Sequence, residues 1–290
     1  AFVAEVNPET DFVAKNETFQ EFVQTVADTA LASDLNGGAN GEDIDALLNI
    51  NGLNDLLVEK TATIGEKLSI RRFAKVTGDI VTSYIHGGGR IGVIIAAKGT
   101  NNDAAKEALT NIAMQVAAMN PQYISRNDIS EEELAKIKDI TTDSALNDAT
   151  TLPKPILNKL LDKAINEKLW SEDDIQQFEE HKNNMNYVWN FLSDAAKAKL
   201  GELAMADKES IVAEKMFAGV VDGRVSKQLK EICLLDQTYV KAEDGKQSVA
   251  KYLESVSKDI VITEMVRFEV GEGLEKKNED FAAEVAAQAG

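Results

Sequence analysis

The sequence has very few of the residues from which metal centres and covalent catalytic sites are built. Its 290 residues include one cysteine, Cys233, and two histidines, His86 and His181. A single cysteine excludes a disulfide within the chain, which is typical of the reducing cytoplasm, where we expect the protein to be located. Cys233 stands beside two leucines, so we interpret it as a small buried apolar residue rather than a nucleophile.

Recognisable catalytic and cofactor-binding motifs are also missing. The sequence contains no nucleophile elbow, zinc-protease motif, P-loop or EF-hand loop. Gly87, Gly88 and Gly89 do not open a predicted helix, so a hairpin turn is preferred over a phosphate site. Gly271 and Gly273 come too late for a dinucleotide-binding unit to follow them. We therefore expect no catalytic residue, cofactor, metal or small-molecule substrate, and an unrecognised hydrolase is disfavoured.

The charge of the chain is strongly unbalanced. Asp and Glu number 49 against 31 Lys and Arg, which gives a formal net charge of −18. Such a surface repels phosphate backbones and anionic lipid, and no apolar run of about 18 residues occurs, so we expect no direct nucleic-acid contact and no membrane association. The acidity serves solubility alone or matches a protein partner with a basic face, and both interpretations stay open.

Apolar spacing predicts helices along most of the chain. Asn7 and Pro8 are typical of a helix start, and the pattern after them predicts a helix that ends near Ser33. Other helices are predicted over residues 42–48, 53–64, 102–119 and 248–255, with several more between 130 and 232. Strands are predicted over residues 2–6, 70–76, 80–85, 91–97, 237–241 and 260–270.

This order of elements indicates an α+β fold. Strands that follow one another closely, and a further strand near the end, fit antiparallel sheet flanked by helices. Residues 130–232 are rich in Lys, Glu, Asp and Ala and carry apolar residues at helical spacing. That stretch therefore predicts an inserted helical arm or subdomain.

Two residues have competing interpretations when the pattern is considered alone. Phe12 lies in the first turn of the predicted helix, and its seven-residue spacing from Phe19 favours ordinary core packing. His86 lies at the end of a predicted hairpin strand, which favours a ring satisfied by backbone groups.

Six segments nevertheless resemble, in the same order, the signature segments of the elongation factor Ts family. They cover roughly residues 1–125 and 205–290, and six matches in order are far more specific than one. The segments are residues 5–7 with 10–16, then 64–66, 84–93, 117–124, 234–240 and 267–273.

The resemblance also implies a division of the fold. It implies a two-part core of small antiparallel sheets flanked by helices, plus a long inserted, coiled-coil-like arm. We expect the family's N-terminal helical module to have no counterpart in this sequence, and residues 140–205 to lie outside the resemblance. The implied domains are residues 1–79 as the N-terminal half of the core, 80–128 with 230–276 as the C-terminal half, 129–229 as the insertion and 277–290 as a C-terminal helical module.

Members of this family are guanine nucleotide exchange factors in translation elongation. The resemblance implies that the chain binds elongation factor Tu with GDP, and that it promotes GDP release by disturbing the magnesium and phosphate site without covalent chemistry. Phe12 would be an apolar wedge and Asp11 a polar anchor. The alternative is an acidic helical scaffold that binds a different protein. The residues implied to contact the partner are Thr10, Asp11, Phe12, Val13, Ile64, Gly65, His86, Val240 and Phe281.

Overall fold

The structure is a computed structural model that describes residues 1–274, and these residues form two compact units. The first, called the mixed unit, comprises residues 1–124 and 238–274 and contains all the strands of the described chain. The second, called the helical unit, comprises residues 125–237. Helices and antiparallel sheets occur together, so the predicted α+β class is confirmed.

Most predicted elements are found within a few residues of their expected bounds. The strands are β1 (Phe2–Asn7), β2 (Gly37–Gly38), β3 (Ser69–Lys75), β4 (Ile80–His86), β5 (Ile91–Lys98) and β6 (Val261–Glu269). The first helices of the mixed unit are α1 (Asp11–Ala14), α2 (Glu17–Ala32), α3 (Ile44–Leu48), α4 (Leu53–Ile64) and α5 (Asp103–Met119). The helical unit contains α6 (Glu131–Asn147), α7 (Lys154–Asn166), α8 (Glu172–His181), α9 (Met185–Val188), α10 (Asp194–Ala206), α11 (Lys208–Val212) and α12 (Lys215–Ile232), and α13 (Val249–Val256) returns to the mixed unit.

The predicted helix start at Asn7 is wrong. Asn7 belongs to β1, and its side-chain amide donates to Glu5 at 3.0 Å instead of capping a helix. The caps are supplied further along, by Thr10 for α1 and by Asn16 for α2. Asn16 Oδ1 accepts the N–H of Thr18 at 2.8 Å, so one expected helix becomes two.

The mixed unit contains two three-stranded antiparallel sheets, which agrees with the expectation of small antiparallel sheets. The first has the strand order β1-β3-β2 and the second β4-β5-β6. The sheets share a core, because Val3 of β1 packs with Ile94 of β5 and Phe268 of β6. A Cβ atom at Gly92 would lie 2.6 Å from Val3 Cγ2, so only glycine allows β1 and β5 to approach this closely.

The strand predicted at residues 237–241 does not form. Leu234–Asp236 is a 3-10 turn, and Thr238 makes one isolated bridge to Ser248. The side chain of Asp244 accepts the backbone N–H groups of Lys246 and Gln247 in the turn between Thr238 and Ser248. Because α13 begins at Val249, directly after Ser248, the pairing cannot extend past this bridge.

One buried carboxylate, that of Glu5, connects the two sheets. Glu5 is only 3% exposed. It accepts hydrogen bonds from Arg71 Nη1 at 3.0 Å and from Arg72 Nε at 2.6 Å, both on β3. Asn7 Nδ2 and the backbone N–H of Gly271 also donate to it, each at 3.0 Å. The donors come from β1, β3 and the segment after β6, so one side chain fixes three parts of the fold.

Arg72 extends this network to β6. Its Nη2 donates to the carbonyl oxygen of Glu269 at 3.1 Å, and its guanidinium carbon lies 4.3 Å from the ring centroid of Phe268. Burial alone would raise the pKa of Glu5, but the hydrogen bond from Gly271 and those from the side chains around it hold this pKa below its ordinary value. Glu5 is therefore kept ionised inside the protein by its donors.

The helical unit has a hydrophobic core of its own. Trp170 lies edge-on to Phe178 with 5.9 Å between ring centroids, and its Nε1 donates to the carbonyl oxygen of Ala196 at 2.9 Å. Seven helices of 4 to 18 residues surround the core, and the expected long coiled-coil-like arm is not confirmed. The core residues are Ala145, Leu146, Ala149, Leu152, Ile156, Leu157, Leu160, Leu161, Ala164, Trp170, Phe178, Val188, Leu192, Ala196, Leu200, Ala204, Ile211, Phe217 and Val221.

A second buried carboxylate, Asp174, joins two helix starts in this unit. It accepts the hydroxyl of Ser171 at 2.7 Å, and both the N–H and the hydroxyl of Ser193 at 2.8 Å. Ser171 is the N-cap of α8 and Ser193 the N-cap of α10. Burial would raise the pKa of Asp174, but these hydrogen bonds lower it, and the positive ends of two helices favour the charge as well.

We expect Glu5→Gln to lower the free energy of unfolding by about 3 kcal/mol. The positive charges of the two arginines would then face a buried neutral amide instead of a carboxylate. Urea unfolding followed by circular dichroism measures this change. Glu21→Gln, on the exposed side of α2, is the matched control and should shift the free energy of unfolding by less than about 0.5 kcal/mol. Equal effects of the two substitutions would show that the Glu5 network is not a major source of stability.

The advantage of the wild type over Glu5→Gln should depend on pH. The folded-state pKa of Glu5 is lowered, so its contribution is complete above the unfolded value of about 4.3 and is lost as pH falls through the folded pKa. The difference in urea midpoint should therefore be largest near about pH 7 and shrink below about pH 4. A difference that grew on acidification would contradict this assignment.

Candidate partner-binding site

The first predicted contact segment, residues 10–13, is presented on the four-residue helix α1. The side chain of Thr10 caps α1 by accepting the N–H of Val13 at 3.4 Å. Asp11 and Phe12 point away from the core, and the exposed fraction of Phe12 is 89%. Val13 is half-buried against the core beneath α2. α1 therefore carries an exposed carboxylate and an exposed aromatic ring side by side.

The interpretation that Phe12 packs against Phe19 is wrong. Phe19 is buried with Phe22 and Phe73 in the core of the first sheet, without Phe12. The chain leaves the helical path after α1 and restarts at Asn16. This break changes the helical phase, so a seven-residue spacing no longer brings two side chains onto one face.

The predicted contact residues Ile64 and Gly65 lie next to the first segment, since Glu66, directly after them, binds Thr10. Ile64 is half-buried against the same core as Val13. Gly65 ends α4 in a left-handed conformation with φ of +78°. The carboxylate of Glu66 then accepts both the N–H of Thr10, at 3.0 Å, and its hydroxyl, at 2.7 Å. The fold thus joins two segments that are 56 residues apart in sequence.

A groove of about 590 Å³ lies beside α1. One wall consists of residues 4–11, and the other of the β4–β5 hairpin and the chain that follows β6. Three apolar side chains in the second wall, Ile85, Val270 and Leu274, are each more than half exposed. The groove therefore brings together three of the six segments that resemble the family.

Of the predicted contact residues that the structure describes, Thr10 and Asp11 line this groove and the others do not. His86, at the end of β4, places its Nδ1 3.0 Å from the hydroxyl of Tyr84, so its ring is partnered by a side chain and not by backbone as the pattern favoured. The N–H of Val240 donates to Gln115 Oε1 at 2.8 Å, and the Val240 side chain is 47% exposed. Phe281 lies outside the described residues.

Acidic groups dominate the α1 side of the groove. Glu5, Glu9 and Asp11 all line it. Glu5 is balanced by its arginines, whereas Glu9 and Asp11 are exposed. This edge is therefore suited to a protein surface that carries basic side chains. Within residues 1–274, no cluster of three His, Cys, Asp or Glu could hold a metal ion, and no helix is long and apolar enough to cross a membrane.

Some residues of the site could not be identified from local pattern. Glu66 has no pattern of its own, because its partner Thr10 is distant in sequence. Ile85 follows the alternation of β4 and looks like an ordinary strand residue, yet it is exposed in the groove. Val270 and Leu274 follow the last strand and come near α1 only through the packing of the two sheets.

Comparison with known proteins identifies the class. The family model described as Elongation factor TS matches residues 9–178 and 197–272. Elongation factor Ts of Clostridioides difficile strain 630 is 38% identical and covers 99% of this chain, and that of Halothermothrix orenii is 32% identical over 98%. A Clostridium perfringens relative with the same name is 36% identical over 99%. The chain spans about three quarters of the length of these relatives, from 73% to 76%.

These matches define a translation elongation factor of the nucleotide-exchange type. More specifically, the chain belongs to the elongation factor Ts family. The matches also extend through most of the helical unit, since residues 140–178 and 197–205 fall inside the family model. The expectation that residues 140–205 lie outside the resemblance is therefore wrong for most of that stretch.

Gly65→Ala should lower the free energy of unfolding by about 1 kcal/mol, because alanine disfavours the left-handed backbone that ends α4. Space is not the cause, since no atom lies within 4 Å of a Cβ built at this position. Gly65→Asn is the matched control and should lose less, because asparagine adopts this conformation more readily. Urea unfolding of both variants tests this, and a larger loss for asparagine would contradict it.

Proposed function

We propose that this chain binds elongation factor Tu in its GDP-bound form and promotes release of GDP. The exchange acts through protein binding and forms or breaks no covalent bond. The chain would disturb the magnesium and phosphate site of the partner, and it would do so in the cytoplasm. Membership of the elongation factor Ts family supports the partner and the class of reaction.

The observation that carries this proposal is the exposure of Phe12. A phenylalanine that is 89% exposed on an anchored helix is unusual in a protein whose other aromatic rings are mostly packed. Its burial against a partner is favourable by about 2 kcal/mol. Such a ring is well suited to enter between two elements of another protein, as the wedge that the family resemblance implies.

The thermodynamics of exchange follow from reciprocity. If the wedge binds the nucleotide-free partner better than the GDP-bound partner, GDP binding is weakened by the same factor. About 2 kcal/mol of differential binding corresponds to a roughly 30-fold weaker hold on GDP. Asp11, adjacent to Phe12 and exposed, would meet polar groups on the magnesium side of the nucleotide pocket, where loss of the cation removes charge compensation from the phosphates.

The remaining contacts are proposed as support for this wedge. Ile64, Gly65 and His86 would face the nucleotide-binding domain of the partner, near the position of α1. Val240 would contact the partner's third domain, and its 47% exposure is compatible with that role. Phe281 would contribute a further contact from the C-terminal segment.

Phe12→Ala should slow GDP release from elongation factor Tu by about tenfold or more, because the variant loses the apolar wedge. The variant should keep its fold, since a side chain this exposed contributes little to stability. Stopped-flow release of a fluorescent GDP measures the rate, and thermal unfolding checks the fold.

Leu31→Ala, which removes another exposed apolar side chain far along α2, is the control and should leave the rate unchanged. Binding of the wild type to elongation factor Tu should also weaken as GDP is added, which a simple scaffold would not show. A normal release rate for Phe12→Ala would exclude the wedge role.

A further inference from the structure

The helix that carries Asp11 and Phe12 is too short to hold its own position. α1 has four residues and none of them is buried. An isolated helical turn of this length is unstable in water, because several backbone dihedrals are fixed for very few hydrogen bonds. The position of Phe12 therefore depends on groups outside α1.

Few groups in the described residues supply that support. Thr10 caps the helix, and Gln20 Nε2, on the neighbouring helix α2, donates to the carbonyl oxygen of Ala14 at 3.4 Å. Val13 provides the apolar contact to the core. Among the described residues that lie outside residues 10–20, one side chain, that of Glu66, makes hydrogen bonds to residues 10–14.

The carboxylate of Glu66 binds the residue that caps α1, Thr10. Within the described chain, its hydrogen bonds both go to Thr10, one to the backbone N–H at 3.0 Å and one to the hydroxyl at 2.7 Å. Holding two donors of one residue fixes the orientation of that residue as well as its place. Since Thr10 is the N-cap, its orientation sets the direction in which α1 leaves β1.

Glu66 is itself held by a rigid element. Ile64, two residues before it, packs into the core under α2, and the N–H of Gly65 donates to the carbonyl oxygen of Thr61 at 3.0 Å. The left-handed turn at Gly65 then directs the chain toward Thr10. A well-packed helix end thus supports a helix with no buried residue of its own.

We propose that Glu66 is a positioning residue for exchange: it holds Thr10 so that Asp11 and Phe12 meet the partner in the productive orientation. This rests on the proposed function. Glu66 acts through α1 and does not itself enter the partner. Its loss should leave the rest of the docking surface intact but reduce the fraction of molecules in which the wedge is correctly aimed.

The test is stopped-flow release of a fluorescent GDP from elongation factor Tu at increasing concentrations of each variant. Glu66→Ala should lower the maximal release rate by about three- to tenfold, with a smaller change in the half-saturating concentration. Glu66→Gln, whose amide oxygen still accepts a hydrogen bond, should recover part of the rate. Glu59→Ala, an exposed glutamate on α4, is the matched control and should behave as the wild type.

A double-mutant cycle separates positioning from direct contact. In a chain that already carries Phe12→Ala and Asp11→Ala, Glu66→Ala should have little further effect on the release rate. Additive effects would overturn the proposal, because Glu66 would then act independently of α1. If Phe12→Ala itself has no effect, the proposed exchange mechanism fails. If it slows release while Glu66→Ala does not, only the positioning role fails.

Hydrogen exchange supplies a readout that does not depend on the partner. The backbone N–H of Thr10 should exchange several-fold faster in Glu66→Ala, because its acceptor is gone. The amides of the well-packed strand β3 should be unaffected. Unchanged exchange at Thr10, with a lowered release rate, would contradict the proposed route through α1.

Discussion

The ion pair between Glu5 and the two arginines of β3 is the interaction on which the candidate site depends. A carboxylate removed from water is strongly unfavourable unless donors replace its hydration, and here β1, β3 and the segment after β6 all supply them. Asn7, at the start of the segment 7–11, donates its side-chain amide to this carboxylate, and Gly271 donates its backbone N–H to it. Both walls of the groove are thus fixed relative to the same buried charge.

Rigid support and exposed contact groups are separated in this protein. Val13 and Ile64 are half-buried against the core under α2, while Asp11 and Phe12, which are proposed to act on the nucleotide site of the partner, lie outside that core. Such an arrangement keeps an apolar ring in water without loosening the fold, because the unfavourable exposure is confined to one side chain. The helical unit differs, since two of its helix starts meet at the buried Asp174 and three of its aromatic rings, those of Trp170, Phe178 and Phe217, are buried.

Local sequence pattern is sufficient to predict most of the helices and strands, but it is not sufficient to predict the residues of the candidate site. Asn102, Ser130, Ser171 and Ser248 each cap the helix that follows, and such caps can be predicted because each one joins residues only three apart. The exposure of Phe12 could not be predicted, because it depends on the break at Asn16 that shifts the helical phase. The bond between Thr10 and Glu66 joins residues that are 56 apart in sequence, so it leaves no periodic signal. The assignment of contact residues came from six ordered segments and not from physical pattern.

The reach of the Glu5 network also has a consequence for biosynthesis. Its first and last members, Glu5 and Gly271, are separated by 266 residues, so the mixed unit cannot close while the ribosome is still making the chain up to β6. Every contact of the helical core lies between residues 125 and 237, which emerge earlier. The order of synthesis thus favours a helical unit that folds before the mixed unit is complete, while β5 waits with one edge unpaired until β6 has been made.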